Sequence, residues 1–60
     1  MRLTVEQFFN SIVGDDFIHI IQDGEIKWAA YNSEWLGQYA DYSIKTYKFI
    51  WDDEYINIEI

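Results

Sequence analysis

The segment "TYKFIWDDEYINIEI", Thr46 to Ile60, places Tyr47, Phe49 and Trp51 in alternation before Asp52-Asp53 and Ile56, Ile58 and Ile60 in alternation after it. Folding the chain on Asp52-Asp53 sets Phe49 against Ile56 and Tyr47 against Ile58. Thr46, Lys48, Asn57 and Glu59 then share the opposite face, with Lys48 across from Asn57 and close to Glu59. A strand has a side-chain period of two, so a slip of one residue would turn every apolar group to the wrong face. Both arms agree on one register, and the segment reads as a hairpin.

An isolated hairpin is marginal in water and needs a partner layer. "FIHIIQDGEIKWAAY" supplies a second hairpin, turning at Gln22-Asp23-Gly24. Two registers compete for it. A two-residue Asp-Gly turn pairs Ile21 with Ile26 and His19 with Trp28. A type I turn with Gly24 as bulge residue pairs Ile20 with Ile26 and Ile18 with Trp28. The second is preferred, because it gathers Ile18, Ile20, Ile26, Trp28 and Ala30 on one face and sends His19 and Lys27 to the other.

Two helices are expected to cover the sheet. In "LTVEQFFNSIVG", Thr4 and Gln7 form a capping box, and Leu3 and Phe8 stand at the positions of a hydrophobic staple. Val5, Phe8, Phe9 and Ile12 make one apolar stripe, and Gly14 follows where a left-handed residue would close the helix. In "NSEWLGQYADY", Asn32 or Ser33 caps a short second helix, Glu34 sits in its first turn, and Trp35, Leu36 and Tyr39 form its apolar face. Gly37 in its middle costs about 1 kcal/mol against Ala, so this helix depends on packing. The expected fold is an α+β two-layer sandwich: residues 1–60 as one αββαββ domain (helix-hairpin-helix-hairpin), with a four-stranded, mainly antiparallel sheet and both helices on one face.

Composition narrows what such a domain does. With 60 residues and no cysteine, neither a disulfide nor a cysteine zinc site can hold it, so packing or association must. Half the residues are hydrophobic and 20% aromatic, which separates the chain from disordered acidic tails. Eleven acids against four Lys/Arg give a net charge of −7, which repels nucleic-acid phosphate and anionic lipid and favours a protein partner with a basic groove. No apolar run approaches a membrane span, and "MRLTVEQFF" lacks the features of a signal peptide, so the cytoplasm is the expected location. No metal or other cofactor is expected.

If each hairpin runs up and back, Asp15 and Asp16 precede the first strand at one end of the sheet. The tip Asp52, Asp53 and Glu54 lands at the same end, joined by Glu34. These acids carry no pattern for a metal: the EF-hand spacing is absent, and Asp-rich tips are common in turns. Three uses remain open for them: solvated loop charge, a contact surface for a basic partner, or imitation of nucleic-acid phosphate. The outer sheet face is expected to expose Phe17, Ile21, Tyr31, Ile50 and Tyr55 among polar neighbours, a composition suited to partner docking or a homodimer. His19 has Lys27 rather than a carboxylate as its expected cross-strand neighbour. Ser11, Ser33 and Ser43 carry no nucleophile signature, and there is no Gly-rich phosphate loop. No catalytic residue is assigned, and an enzyme is not expected.

The run "LTVEQFF", then "DGEIKW", then a short helix, then a hairpin closing on "INIEI", resembles tiny acidic proteins of phages and mobile elements of Gram-positive bacteria. The resemblance spans most of the chain and rests on structural motifs; high aromatic content and the lack of basic residues in "NSEWLGQYADY" depart from the pattern. Some such proteins inhibit host defence systems such as CRISPR nucleases. The resemblance therefore implies a non-enzymatic, phage-encoded inhibitor acting in the host cytoplasm on a nucleic-acid-handling protein. The alternative is a self-associating accessory or structural protein with no inhibitory role.

Overall fold

The computed structural model describes residues 2–60. Its elements are helix α1 (Val5–Ser11), strand β1 (Phe17–Gln22), strand β2 (Glu25–Tyr31), a 3-10 turn (Asn32–Glu34), strand β3 (Thr46–Ile50) and strand β4 (Tyr55–Glu59). The class is α+β, with one short helix and a four-stranded mixed sheet in the order β2-β1-β4-β3. Each hairpin is antiparallel, and the two are joined through β1 and β4, which run parallel.

The second hairpin has the expected register: Phe49 lies beside Ile56, Tyr47 beside Ile58 and Lys48 beside Asn57. The first hairpin follows neither expected register throughout. Asp23 and Gly24 both adopt positive φ, 52° and 80°, the pair that a two-residue type I′ turn demands. That turn pairs Ile21 with Ile26, but the register then shifts so that Ile20 meets Trp28 and Ile18 meets Ala30. Lys27 is the extra residue of this bulge. The bulge resolves a conflict between the Asp-Gly turn and the apolar face of β1. Ile18, Ile20, Trp28 and Ala30 share the inner face as anticipated. Ile26 does not join them; it stands beside Ile21 and is 58% exposed.

The core lies between α1 and the two central strands. Ile18, Ile20, Ile56 and Ile58 are buried together with Val5, Phe9 and Ile60. Full burial of such a side chain contributes roughly 1.5–3 kcal/mol. The capping box of α1 is formed, with Gln7 N donating to Thr4 Oγ1 (3.2 Å) and Thr4 N donating to Gln7 Oε1 (2.9 Å). Val5 N and Glu6 N donate to the carbonyls of Tyr42 (2.9 Å) and Ala40 (3.1 Å). Every backbone N–H that a helix start leaves without an intrahelical partner is thus occupied. The helix stops at Ser11, so Gly14, with φ of 98°, lies in the link to β1 rather than at the cap.

The expected second helix is absent, and with it the arrangement of two helices on one face. After the 3-10 turn, Trp35 is extended, Gly37 takes φ of 92° and Tyr39 takes φ of 60°. Gln38 competes with helical bonding: its Oε1 accepts from Leu36 N (2.8 Å), and its carbonyl accepts from Trp35 Nε1 (2.8 Å). The covering role falls to single side chains. Trp35 stacks flat on Phe9, centroids 4.4 Å apart and planes 3° apart, while Trp28 meets the same ring edge-on at 5.7 Å. Leu36, expected on an apolar helix face, is 86% exposed.

Gly37→Ala separates this turn from a helix by sign. A Cβ at Gly37 would meet nothing within 4 Å, so backbone conformation alone decides the outcome. Denaturant unfolding should show a loss of about 1–2 kcal/mol, the cost of an L residue in the left-handed region. A helix there would instead gain about 1 kcal/mol from the same change.

Candidate functional site

Because β1 and β4 are parallel, the residues that enter them lie at one end of the sheet. Asp15 and Asp16 precede β1, and the tip Asp52, Asp53 and Glu54 precedes β4. Strand β2 runs the other way and delivers Asn32, Ser33 and Glu34 to the same end. The convergence expected from strand direction is therefore present in the backbone.

Side-chain geometry divides the six acids. Asp15, Asp16, Asp53 and Glu54 line an open groove of about 650 Å³. Asp52 and Glu34 lie at the same end outside its lining. Glu34 is committed to local structure, its Oε2 accepting from Tyr31 N at 3.1 Å. Asp15 Oδ1 accepts from Ser33 N at 3.3 Å. Among the described residues the one ion pair is Lys27 with Glu25, at 3.4 Å, so none of the described cations is ion-paired with the carboxylates of this end. Among the same residues no group of His, Cys, Asp and Glu is arranged to hold a metal ion, and no helix is long and apolar enough to cross a membrane.

Asn32 holds this end together, a role that its reading as a helix cap missed. Its Oδ1 accepts from Asp16 N (2.8 Å), its Nδ2 donates to Gly14 O (3.1 Å), and its own N donates to Asp16 O (2.9 Å). The exit of β2 is thereby latched to the entry of β1. An Asn directly after a strand facing a Gly-Asp-Asp link across a hairpin was the available signal, since such amides bond to nearby backbone in turns.

The remaining lining is aromatic: Phe17, Tyr31, Phe49, Trp51 and Tyr55, together with His19. Pairing explains why Tyr31, Phe17 and Tyr55 gather, whereas Phe49 lies beside Ile56 on the alternate side of the sheet and Trp51 comes from the tip loop. Tyr31, Phe17, Tyr55 and Ile50 are successive partners across all four strands, forming one row on the outer face beside the acidic end. Phe17 meets Tyr31 edge-on at 5.2 Å. The next row holds Ala29, His19, Asn57 and Lys48. His19 Nδ1 lies 3.0 Å from Asn57 Oδ1, a bond in which the ring donates, and its ring sits 4.5 Å from that of Tyr55. The expected neighbour Lys27 is displaced by the bulge. Ile21 stands apart from the other four outer-face candidates, one row beyond His19. None of the five is fully buried, and Tyr31 is 48% exposed. Trp51, in the tip loop, is 79% exposed and packs on Phe49 at 4.4 Å.

The arrangement offers aromatic faces and carboxylate acceptors side by side. His19 has a carboxamide as its hydrogen-bond partner, and no serine or threonine lines the groove. No protein-family model matches the chain, and neither a curated protein nor a solved structure does.

Proposed function

We propose that this chain is a non-enzymatic protein-binding module whose acidic end docks on a basic groove of a partner. The observation that carries this reading is the groove itself, lined by four carboxylates and by no Lys or Arg. Gathering like charges at one end costs repulsion, which a cationic partner relieves on binding. Such a surface speeds encounter with basic proteins and repels bare nucleic acid. Together with the likeness to small acidic phage proteins, this supports a phage-encoded inhibitor of a host protein that handles nucleic acid, acting in the host cytoplasm. The partner's nucleic-acid groove is then the natural target, occupied by carboxylates where phosphates would lie.

The deciding experiment is retention of host proteins on the immobilised chain, compared with a variant carrying Asp15→Asn, Asp16→Asn, Asp52→Asn, Asp53→Asn and Glu54→Gln. The retained partner should be lost from the folded variant. It should also elute from the native chain as the screening length shortens from about 10 Å at 0.1 M salt to about 3 Å at 1 M. Equal retention by the two chains would reduce the acids to solvated loop charge.

A second reading rests on the row Tyr31, Phe17, Tyr55 and Ile50, none of which is fully buried. A self-associating accessory protein would bury this row against a second copy. Sedimentation at micromolar concentration should then give twice the 7.3 kDa chain mass, and Ile50→Lys should restore the single-chain mass without unfolding. A single-chain mass for the unaltered protein would leave the row to partner docking.

A further inference from the structure

The groove at the acidic end is aromatic as well as anionic, and the combination selects among cations. A lysine ammonium is compact and strongly hydrated, and it gains mainly from the carboxylates. A guanidinium is planar, weakly hydrated and carries a fork of five donors. It can lie on a ring and bond a carboxylate in the same pose. Trp51 and Tyr31 offer such faces, being 79% and 48% exposed, and Tyr55 on β4 lies between the strand of Tyr31 and the edge strand that leads into Trp51. Asp53 and Glu54 stand in the same lining and have no ion-pair partner among the described residues. A quaternary ammonium would use the rings but leave the carboxylates without donors. At about 650 Å³ the groove exceeds one side chain and falls within the roughly 300–1,000 Å³ range of ligand sites.

We infer that the groove receives arginine side chains of a partner segment, several at once, in preference to lysine. This deepens the proposed docking on a basic partner and rests on that reading. The rings supply selectivity for the guanidinium plane, and the carboxylates supply attraction common to both cations.

Calorimetric titration with short Gly-Arg, Gly-Lys and Gly-citrulline repeat peptides of equal length tests the inference. The arginine peptide should bind about two- to fivefold tighter than the lysine peptide, the scale of one exposed guanidinium–ring contact. The neutral citrulline peptide should show no binding. Trp51→Leu and Tyr31→Leu should each shrink the arginine preference while leaving lysine binding in place; exposure of both positions keeps the fold intact, checked by circular dichroism. Asp53→Asn with Glu54→Gln should weaken both cationic peptides alike. Equal affinity for arginine and lysine would overturn the arginine inference and leave the basic partner standing. Failure of the arginine peptide to bind would overturn it as well, while partner retention by the acidic end is judged separately.

Discussion

Ile18 and Ile20 on β1 lie beside Ile56 and Ile58 on β4, in register and on the same side of the sheet, and the rest of the structure hangs on this parallel pair. These four residues are at most 8% exposed and form the floor on which Val5 and Phe9 of α1 sit. Either hairpin alone would present one apolar face to water with nothing to share it. Joined through their central strands, the hairpins concentrate β-branched side chains where burial is deepest, and leave the edge strands β2 and β3 more exposed. Ile60 N extends the contact by donating to Ile21 O at 2.8 Å, which brings the last residue into the core.

The same pairing explains the long link between β2 and β3. With β1 and β4 parallel in the middle, β2 and β3 are parallel strands at opposite edges, so the chain must return from one end of the sheet to the other and cross from edge to edge. The link makes this crossing without a helix. It lends the carbonyls of Ala40 and Tyr42 to the start of α1, takes the Leu3 carbonyl as acceptor for Ile44 N at 2.8 Å, and places Trp35 on Phe9. An N-terminal helix of only seven residues, too short to be stable alone, is held at both its backbone and its ring.

Local signals were legible in the sequence where one physical requirement acted alone. The Tyr47–Phe49 and Ile56–Ile58 alternations had no competitor, and their register was readable. The capping box of Thr4 and Gln7 was equally plain. The first hairpin pitted the Asp-Gly turn against the apolar face of β1, and a bulge at Lys27 satisfied both, an outcome that pattern matching has no means to choose. The second helix failed because Glu34 and Gln38 bond to nearby backbone, Asn32 bonds across the hairpin to Gly14 and Asp16, and Gly37 is free to take positive φ. Cap residues and turn residues are the same residues. At the candidate site, convergence of the acids followed from strand direction and was readable. The split that leaves Asp52 and Glu34 outside the groove, and the latch formed by Asn32, depend on side-chain placement that spacing does not encode.

Strand direction is therefore the link between the fold and the candidate site: Asp15-Asp16 and Asp53-Glu54 share one groove because β1 and β4 are parallel neighbours. Nuclear Overhauser contacts between strands measure this directly. Parallel pairing requires cross-strand contacts joining Ile18 to Ile56 and Ile20 to Ile58, in an order that ascends along both strands, with the slowest amide exchange in β1 and β4. An order that descends along one strand would put Asp15-Asp16 at the end of the sheet opposite Asp53-Glu54 and contradict the shared groove.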